Sequence, residues 1–447
     1  MRIGLIGASV RSAATDLAPT SWLSIAIDQF SDQETAEVLG SRSLIARDWK
    51  HARGLVMQFS RSPRIRKRKS NLGYLWLTTG GLDLQPQLLE TLSWSGSHLL
   101  GCQLEAIGLA KSIEKWTTQI REFHPYVPRL QPRQCLAGRW FRKQNWPLAP
   151  APFHWQEAVA GELRSALFLA SSGKVRLIGR SRLHHTSEEP DLAKSVGPWV
   201  YAGNEFLEYS KAPQQELSSL EQLGSWFAGQ PGVHGLFGID YIWDGQVWPI
   251  EINPRPTASV EVYQAVLQRN LWKEHVIATV ASLAAADEEW AQQLQEQLAE
   301  APVAADDISS AKTTESSTFE TTSAISNVPE VKGGSTKTTG TPFDGTGKTS
   351  CKRIVYNRGA QWNVDAKYWE NCLQQLEQFG QEQGIVTELV DRPRTGTVVP
   401  AGAPAFTLLL NSKPEQPVSD LWLLGQRLDH LLTAEFVGQR NIETLEV

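Results

Sequence analysis

The segment Gly238–Ser259, GIDYIWDGQVWPIEINPRPTAS, restricts the fold of this chain more than any other. Two runs rich in apolar residues, Phe237–Trp243 and Gln246–Ile252, flank Asp244-Gly245. An Asp-Gly pair between two such runs signals a β-hairpin. Side chains two apart on a strand share a face, so Glu251 and Asn253 project together, and pairing the two strands brings Asp240 near both. Asp240 alone would read as an ordinary solvated acid. With Glu251 and Asn253 it forms two carboxylates and an amide oxygen on one surface, a donor set suited to Mg²⁺. Arg255 continues that face, and its planar fork matches phosphate or the charge that develops in phosphoryl transfer. Pro254 and Pro256 restrict the chain on either side of it.

The rest of the chain reads as α/β and α+β, in several domains. Its 447 residues correspond to several domains of roughly 100–200 residues each. A net charge of −5 gives no general case for nucleic acid or an acidic membrane as partner. Cys102, Cys135, Cys351 and Cys372 show neither CxxC nor Cys/His metal spacing, which argues against a zinc site or a disulfide scaffold and for a reducing interior. Met1–Gly7 reads as a buried first strand, too short for a signal-peptide core. No run approaches the roughly 18 apolar residues of a membrane helix, so a cytoplasmic, soluble protein is expected.

Residues 1–110 are expected to form an open, mostly parallel α/β sheet. Its strands fall at Ile3–Ile6, Ser24–Ile27, Leu55–Phe59, Tyr74–Thr78 and His98–Leu100, with a helix at Leu84–Leu92. The basic run Arg61, Arg64, Arg66, Lys67, Arg68, Lys69 lacks interleaved aromatics and reads as a solvated loop. Residues 111–302 have longer strands: Leu163–Ala170 and Val175–Gly179 form one hairpin, a helix covers Ser218–Gly229, and Trp272–Ala301 is helical. In residues 303–350, 19 side chains are Ser or Thr, and such a stretch buries too little surface to order itself, so it is expected to be a disordered linker. Its Gly347-Lys348-Thr349 is not a P-loop, because Pro342 stands where the first glycine belongs. Residues 351–447 read as a small α+β domain, with strands at Arg353–Tyr356 and Phe406–Leu410 and helices at Lys367–Gln383 and Val418–Leu432.

The hairpin motif, Gly238-Ile239-Asp240 through Glu251-Ile252-Asn253-Pro254-Arg255, resembles the ATP-grasp superfamily. More narrowly, it resembles carboligase-like ATP-grasp proteins that accompany one-carbon (methanopterin- and methanofuran-linked) metabolism. Gly7–Ala14, Thr79-Gly80-Gly81-Leu82, Trp155–Gly161 and Asp391-Arg392-Pro393 through Ala401–Pro404 agree with that group. The resemblance implies a Rossmann-like pre-ATP-grasp domain (1–110) and an ATP-grasp domain (111–302). Within the latter, about 111–180 covers the nucleotide and about 181–302 binds metal. It implies ATP and Mg²⁺ (or Mn²⁺) as cofactors, Asp240, Glu251 and Asn253 as metal ligands, and Arg255 as the catalytic residue of an acyl-phosphate step. Lys143 and Lys115 would contact the phosphates, and Glu157, Ala158 and Val159 would form the adenine hinge.

One departure from the family pattern stands out: the 12 residues between Lys143 and Gln156 contain no glycine, whereas a phosphate-closing loop offers backbone N–H groups. The expected function is a ligase joining a small carboxylate to an amine or similar nucleophile. The rival is a non-catalytic relative that binds nucleotide or metabolite. Biotin-type carboxylation is a third possibility, because Gly396–Pro404 resembles part of the biotin carboxylase tail; with Met1 and Met57 as its two methionines the chain has no biotin-carrying lysine flanked by methionines, so any carrier would be a separate protein. His184-His185 read as a solvated pair that could touch substrate. Asp28 stands where open sheets bind ligands, or is an acidic turn residue. Trp243 and Trp248 flank the metal hairpin and are expected to pack near the nucleotide.

Overall fold

A computed structural model describes residues 2–30, 32–60, 74–93, 97–127, 130–131, 155–156, 158–286, 348–359, 361–413 and 420–438. The basic run at 61–69, Lys143, residues 144–154 of the glycine-free stretch, Glu157 and the expected linker up to residue 347 lie outside these residues.

The first part alternates strands and helices: β1 (Ile3–Gly7), α1 (Arg11–Leu17), β2 (Leu23–Asp28), α2 (Gln33–Leu39), β3 (Ser43–Ile45), α3 (Trp49–Ser60), β4 (Leu75–Thr78), α4 (Pro86–Leu92), β5 (His98–Leu100), α5 (Leu104–Ala110) and α6 (Ile113–Ile120). The five strands form a parallel sheet in the order β3-β2-β1-β4-β5. Every residue of β1 is buried, as a strand covered on both faces requires. The run Leu55–Phe59, expected as a strand, is instead part of helix α3. A short apolar run does not reveal its own period. Here Ala52 and Val56, four apart, are fully buried, and Asp48 accepts a hydrogen bond from the His51 N–H at 2.7 Å, an N-cap that favours helix.

After the short pair β6 (Leu130–Gln131) and β7 (Trp155–Gln156) comes a larger antiparallel sheet. It holds β8 (Glu162–Ser171), β9 (Lys174–His185), β10 (Tyr201–Leu207), β11 (Gly235–Trp243) and β12 (Val247–Asn253). Both expected hairpins are present. Ser172 and Gly173, at φ 49° and 75°, supply the two left-handed residues that a tight two-residue turn between β8 and β9 needs. Helices α7 (Pro190–Val196), α8 (Gln214–Ala228), α9 (Val260–Leu267) and α10 (Leu271–Ala286) accompany these strands.

The remaining elements are β13 (Ser350–Tyr356), β14 (Trp362–Asn363), α11 (Ala366–Gln383), β15 (Ile385–Val390), β16 (Val398–Val399), β17 (Pro404–Ser412) and α12 (Leu421–Gly438). β13 pairs with β10, so β13, β17 and β15 extend the antiparallel sheet to eight strands in the order β12-β11-β8-β9-β10-β13-β17-β15. Among the described residues, no helix is long and apolar enough to cross a membrane.

The two large sheets share a core in which Leu5 and Leu77 meet Leu167, Leu236 and Val276. His275 of α10 joins them: its Nδ1 accepts from the Leu236 N–H at 2.7 Å, and its Nε2 faces the Leu100 carbonyl at 3.2 Å. Burial pushes this imidazole down to about 4, so it stays neutral with the proton on Nε2. A second lock is Arg353 of β13, fully buried. It donates to both oxygens of Glu189 at 2.7 and 2.8 Å and to Asp429 at 2.6 and 2.9 Å, with its guanidinium 4.8 Å from the Trp422 ring centroid. Removing one member of a buried ion network leaves the others uncompensated, so Arg353→Ala is expected to lower stability by about 3–5 kcal/mol. Equilibrium denaturation against the wild type measures this.

Candidate active site

The register of the β11–β12 hairpin sets the geometry. Asp240 lies directly opposite Glu251, and Gly238 opposite Asn253. The three polar side chains therefore share one face. Asn253 donates its Nδ2 to Asp240 Oδ2 at 2.9 Å, which leaves the amide oxygen as its remaining acceptor. Gly238 has a specific reason to lack a side chain: a Cβ there would come within 2.4 Å of Thr257 Cγ2, so glycine lets the loop after β12 fold back over the hairpin. Burial, and then the facing Glu251 charge, push Asp240 up to about 6. Two carboxylates facing each other on a partly dry surface favour a cation between them.

A cation already stands on part of this site. Lys111, just after α5, places its Nζ 2.9 Å from Glu251 Oε1 and 2.6 Å from Asp83 Oδ2. The other Asp83 oxygen accepts from Arg255 Nε at 3.1 Å. Burial alone would raise Asp83, but Arg255 and then Lys111 hold it below the usual carboxylate range. Neither Asp83 nor Lys111 was expected from sequence. Their partners are 172 and 140 residues away along the chain, and no local pattern encodes such a pairing. The Thr79–Leu82 turn next to Asp83 was the one available signal. The donor set, together with an ammonium standing in as its counter-ion, fits a hard divalent cation.

Arg255 also lines a cavity of about 510 Å³ between the two sheets. The cavity's floor is the end of β1 and β4, where Ala8, Ser9, Thr79 and Gly80 face it. In the order β3-β2-β1-β4-β5 this is the switch point of the parallel sheet, the usual place for a ligand. Its far wall holds a buried charge quartet: Arg11 pairs with Glu261 and with Asp391 at 2.8 Å, and Lys352 pairs with Glu261. Burial would raise Asp391, but Arg11 and then Lys352 hold it well below the usual range.

The other sequence candidates are distributed as follows. Lys115 lies exposed on α6. Ala158 is exposed and Val159 half-buried, just before β8. Trp248 packs edge-on against Tyr126 and donates to Asp244, and Trp243 lies 5.5 Å from the Arg164 guanidinium. Asp28 is buried and accepts from the N–H groups of Phe30 and Asp32 at 3.1 and 3.4 Å. It shapes the turn, while its neighbours Gln29 and Phe30 line the cavity.

His184, read as solvated, is buried. Its ring stacks on Trp422 with centroids 3.7 Å apart, and Glu188 and Glu205 approach it at 2.8 and 3.4 Å. The sequence concealed this because Trp422 lies on α12, far along the chain. Burial would lower this imidazole, but hydrogen bonds to Glu188 and then Glu205 hold it above the usual value.

Residues 134–259 match the family model described as the ATP-grasp domain. L-amino acid ligase from Bacillus licheniformis superposes on 96% of this chain and 97% of its own, with a TM-score of 0.53 and 11% identity. The multifunctional pyruvate carboxylase from Rhizobium etli superposes on 92% of this chain with a TM-score of 0.52 and 9% identity; this chain spans 35% of its length. The biotin carboxylase subunit of a pyruvate carboxylase covers 92% of this chain and 86% of its own, with a TM-score of 0.50 and 9% identity. At such identities the likeness establishes the fold alone, and not the reaction. No curated protein matches the chain by sequence.

A histidine whose folded value is raised adds stability that is fully present below its unfolded value, near 6.5, and is lost as pH rises through the folded value. The stability gap between wild type and His184→Gln is therefore expected to be widest at acidic pH and to narrow toward alkaline pH. Denaturation midpoints across that range measure it.

Proposed function

We propose that this protein is an ATP- and Mg²⁺-dependent ligase that activates a small carboxylate as an acyl phosphate and passes it to an amine or similar nucleophile. The observation that carries this reading is the single face formed by Asp240, Glu251 and Asn253, continued by Arg255 into the cavity at the switch point. Family members use ATP and divalent metal ions. In this chain Asp240, Glu251 and the Asn253 amide oxygen would hold the metal, which when bound supplies charge neutralisation of the phosphates.

Each remaining role falls to a residue of the chain. Arg255, steadied by Asp83 at 3.1 Å, presents a guanidinium at the cavity wall, where it would stabilise negative charge on the transferring group. The cavity would hold the carboxylate substrate beside Arg255. Lys115, Lys143 and the stretch Glu157–Val159 enter as phosphate and adenine contacts on the strength of the sequence resemblance. Formation of a carbon–nitrogen bond and a place in one-carbon cofactor chemistry also rest on that resemblance alone. The scattered spacing of Cys102, Cys135, Cys351 and Cys372, with no CxxC, suits a reducing compartment such as the cytoplasm.

The rival, a binding module without turnover, is motivated by the absence of glycine between Lys143 and Gln156. Glu251→Gln and Arg255→Ala are each expected to cut substrate-dependent ADP release by roughly 10²–10³-fold while the thermal midpoint stays near that of the wild type. Undiminished turnover in either variant contradicts the assignment. Calorimetric binding of ATP and Mg²⁺ without any turnover would favour the rival.

A further inference from the structure

We infer that Lys111 is a tethered counter-cation for Glu251, and that it makes metal binding at this site conditional on nucleotide. The inference rests on the metal site proposed above and adds a rule for how that site fills. Lys111 Nζ lies 2.9 Å from Glu251 Oε1, on a carboxylate that directly faces Asp240 across the hairpin. A divalent cation arriving alone must share Glu251 with an ammonium already there, and two like charges a few ångströms apart repel.

The ammonium can yield without becoming an uncompensated charge. Asp83 holds it at 2.6 Å, and the Asp83 side chain is 6% exposed while that of Glu251 is 51% exposed. The firmer anchor is therefore Asp83, and the contact with Glu251 is the one that opens. An anionic polyphosphate beside the site offsets the repulsion between ammonium and metal, so the two cations become compatible only when nucleotide is present. The site thus resists bare metal and accepts metal together with nucleotide. By the same network, Arg255 shares Asp83 with Lys111, so removing the lysine also leaves Asp83 with Arg255 as its remaining cationic partner of the two.

The test is Mn²⁺ binding to the full chain, followed by the paramagnetic resonance of free Mn²⁺, with and without a non-hydrolysable ATP analogue. Glu251 is half exposed, so the competition has the strength of a surface ion pair. Lys111→Met is expected to bind Mn²⁺ alone about fivefold more tightly than wild type, and Lys111→Arg, which keeps the charge, about as weakly as wild type. With the analogue present, the advantage of Lys111→Met is expected to vanish or reverse. Lys111→Gln serves in its place if the methionine variant does not fold. A variant that binds Mn²⁺ alone no more tightly than wild type overturns the inference and leaves the metal site standing. So does a gain of equal size with the analogue. If wild type binds Mn²⁺ neither alone nor with the analogue, the metal site itself fails and the inference falls with it.

Discussion

The antiparallel pairing of β11 with β12 is the constraint on which the site depends. Side chains in paired strands meet only in register, and a slip of one residue would turn Asp240 to the opposite face from Glu251 and Asn253. The register is fixed on both sides. β11 pairs with β12 through Asp240–Glu251 and with β8 through Asp240–Ser165. Phe237 and Ile239, on the alternate face, are buried in the core under α8. The hydrophobic face thus holds the polar face in place, and the loop after β12 inherits its direction from that pairing.

Charge compensation is the second level of organisation. Asp240 and Glu251 repel each other, Lys111 relieves Glu251, Asp83 takes Lys111 and Arg255 together, and Arg255 faces the cavity. Across the cavity Arg11, Lys352, Glu261 and Asp391 form a closed set of two cations and two anions. Buried ion networks contribute little net stability; what this one does is join α1, α9, β13 and the turn after β15 at one wall of the cavity. Lys352 and Asp391 come from the segment after residue 350, and β13 of that segment is stitched into the large sheet beside β10. The cavity wall therefore requires both halves of the chain.

Much of this was legible in the sequence, for reasons that are local. The β11–β12 and β8–β9 hairpins announced themselves by apolar runs interrupted by Asp-Gly and Ser-Gly turns, and the face shared by Glu251 and Asn253 followed from the two-residue repeat of a strand. What was not legible is non-local. Lys111 and Asp83 gain their meaning from partners on other elements, and the buried His184 stacks on Trp422, which is far along the chain. The pairing of Gly203 with Arg353, which makes the C-terminal strands a continuation of the large sheet, leaves no signature in either segment. The run Leu55–Phe59 shows a different limit. Four apolar residues around Gln58 fit a strand or a helix equally well, and the decision lay in Asp48 and Ala52, outside the run.

The central claim is that Asp240, Glu251 and Asn253 form a divalent-metal site that acts with nucleotide. Anomalous diffraction from crystals grown with Mn²⁺ and a non-hydrolysable ATP analogue addresses it directly. A manganese peak is expected within bonding distance of carboxylate oxygens of Asp240 and Glu251, with the phosphates on the side of Arg255. A nucleotide bound with its metal away from this hairpin, or manganese bound elsewhere with these three side chains unchanged, would contradict it.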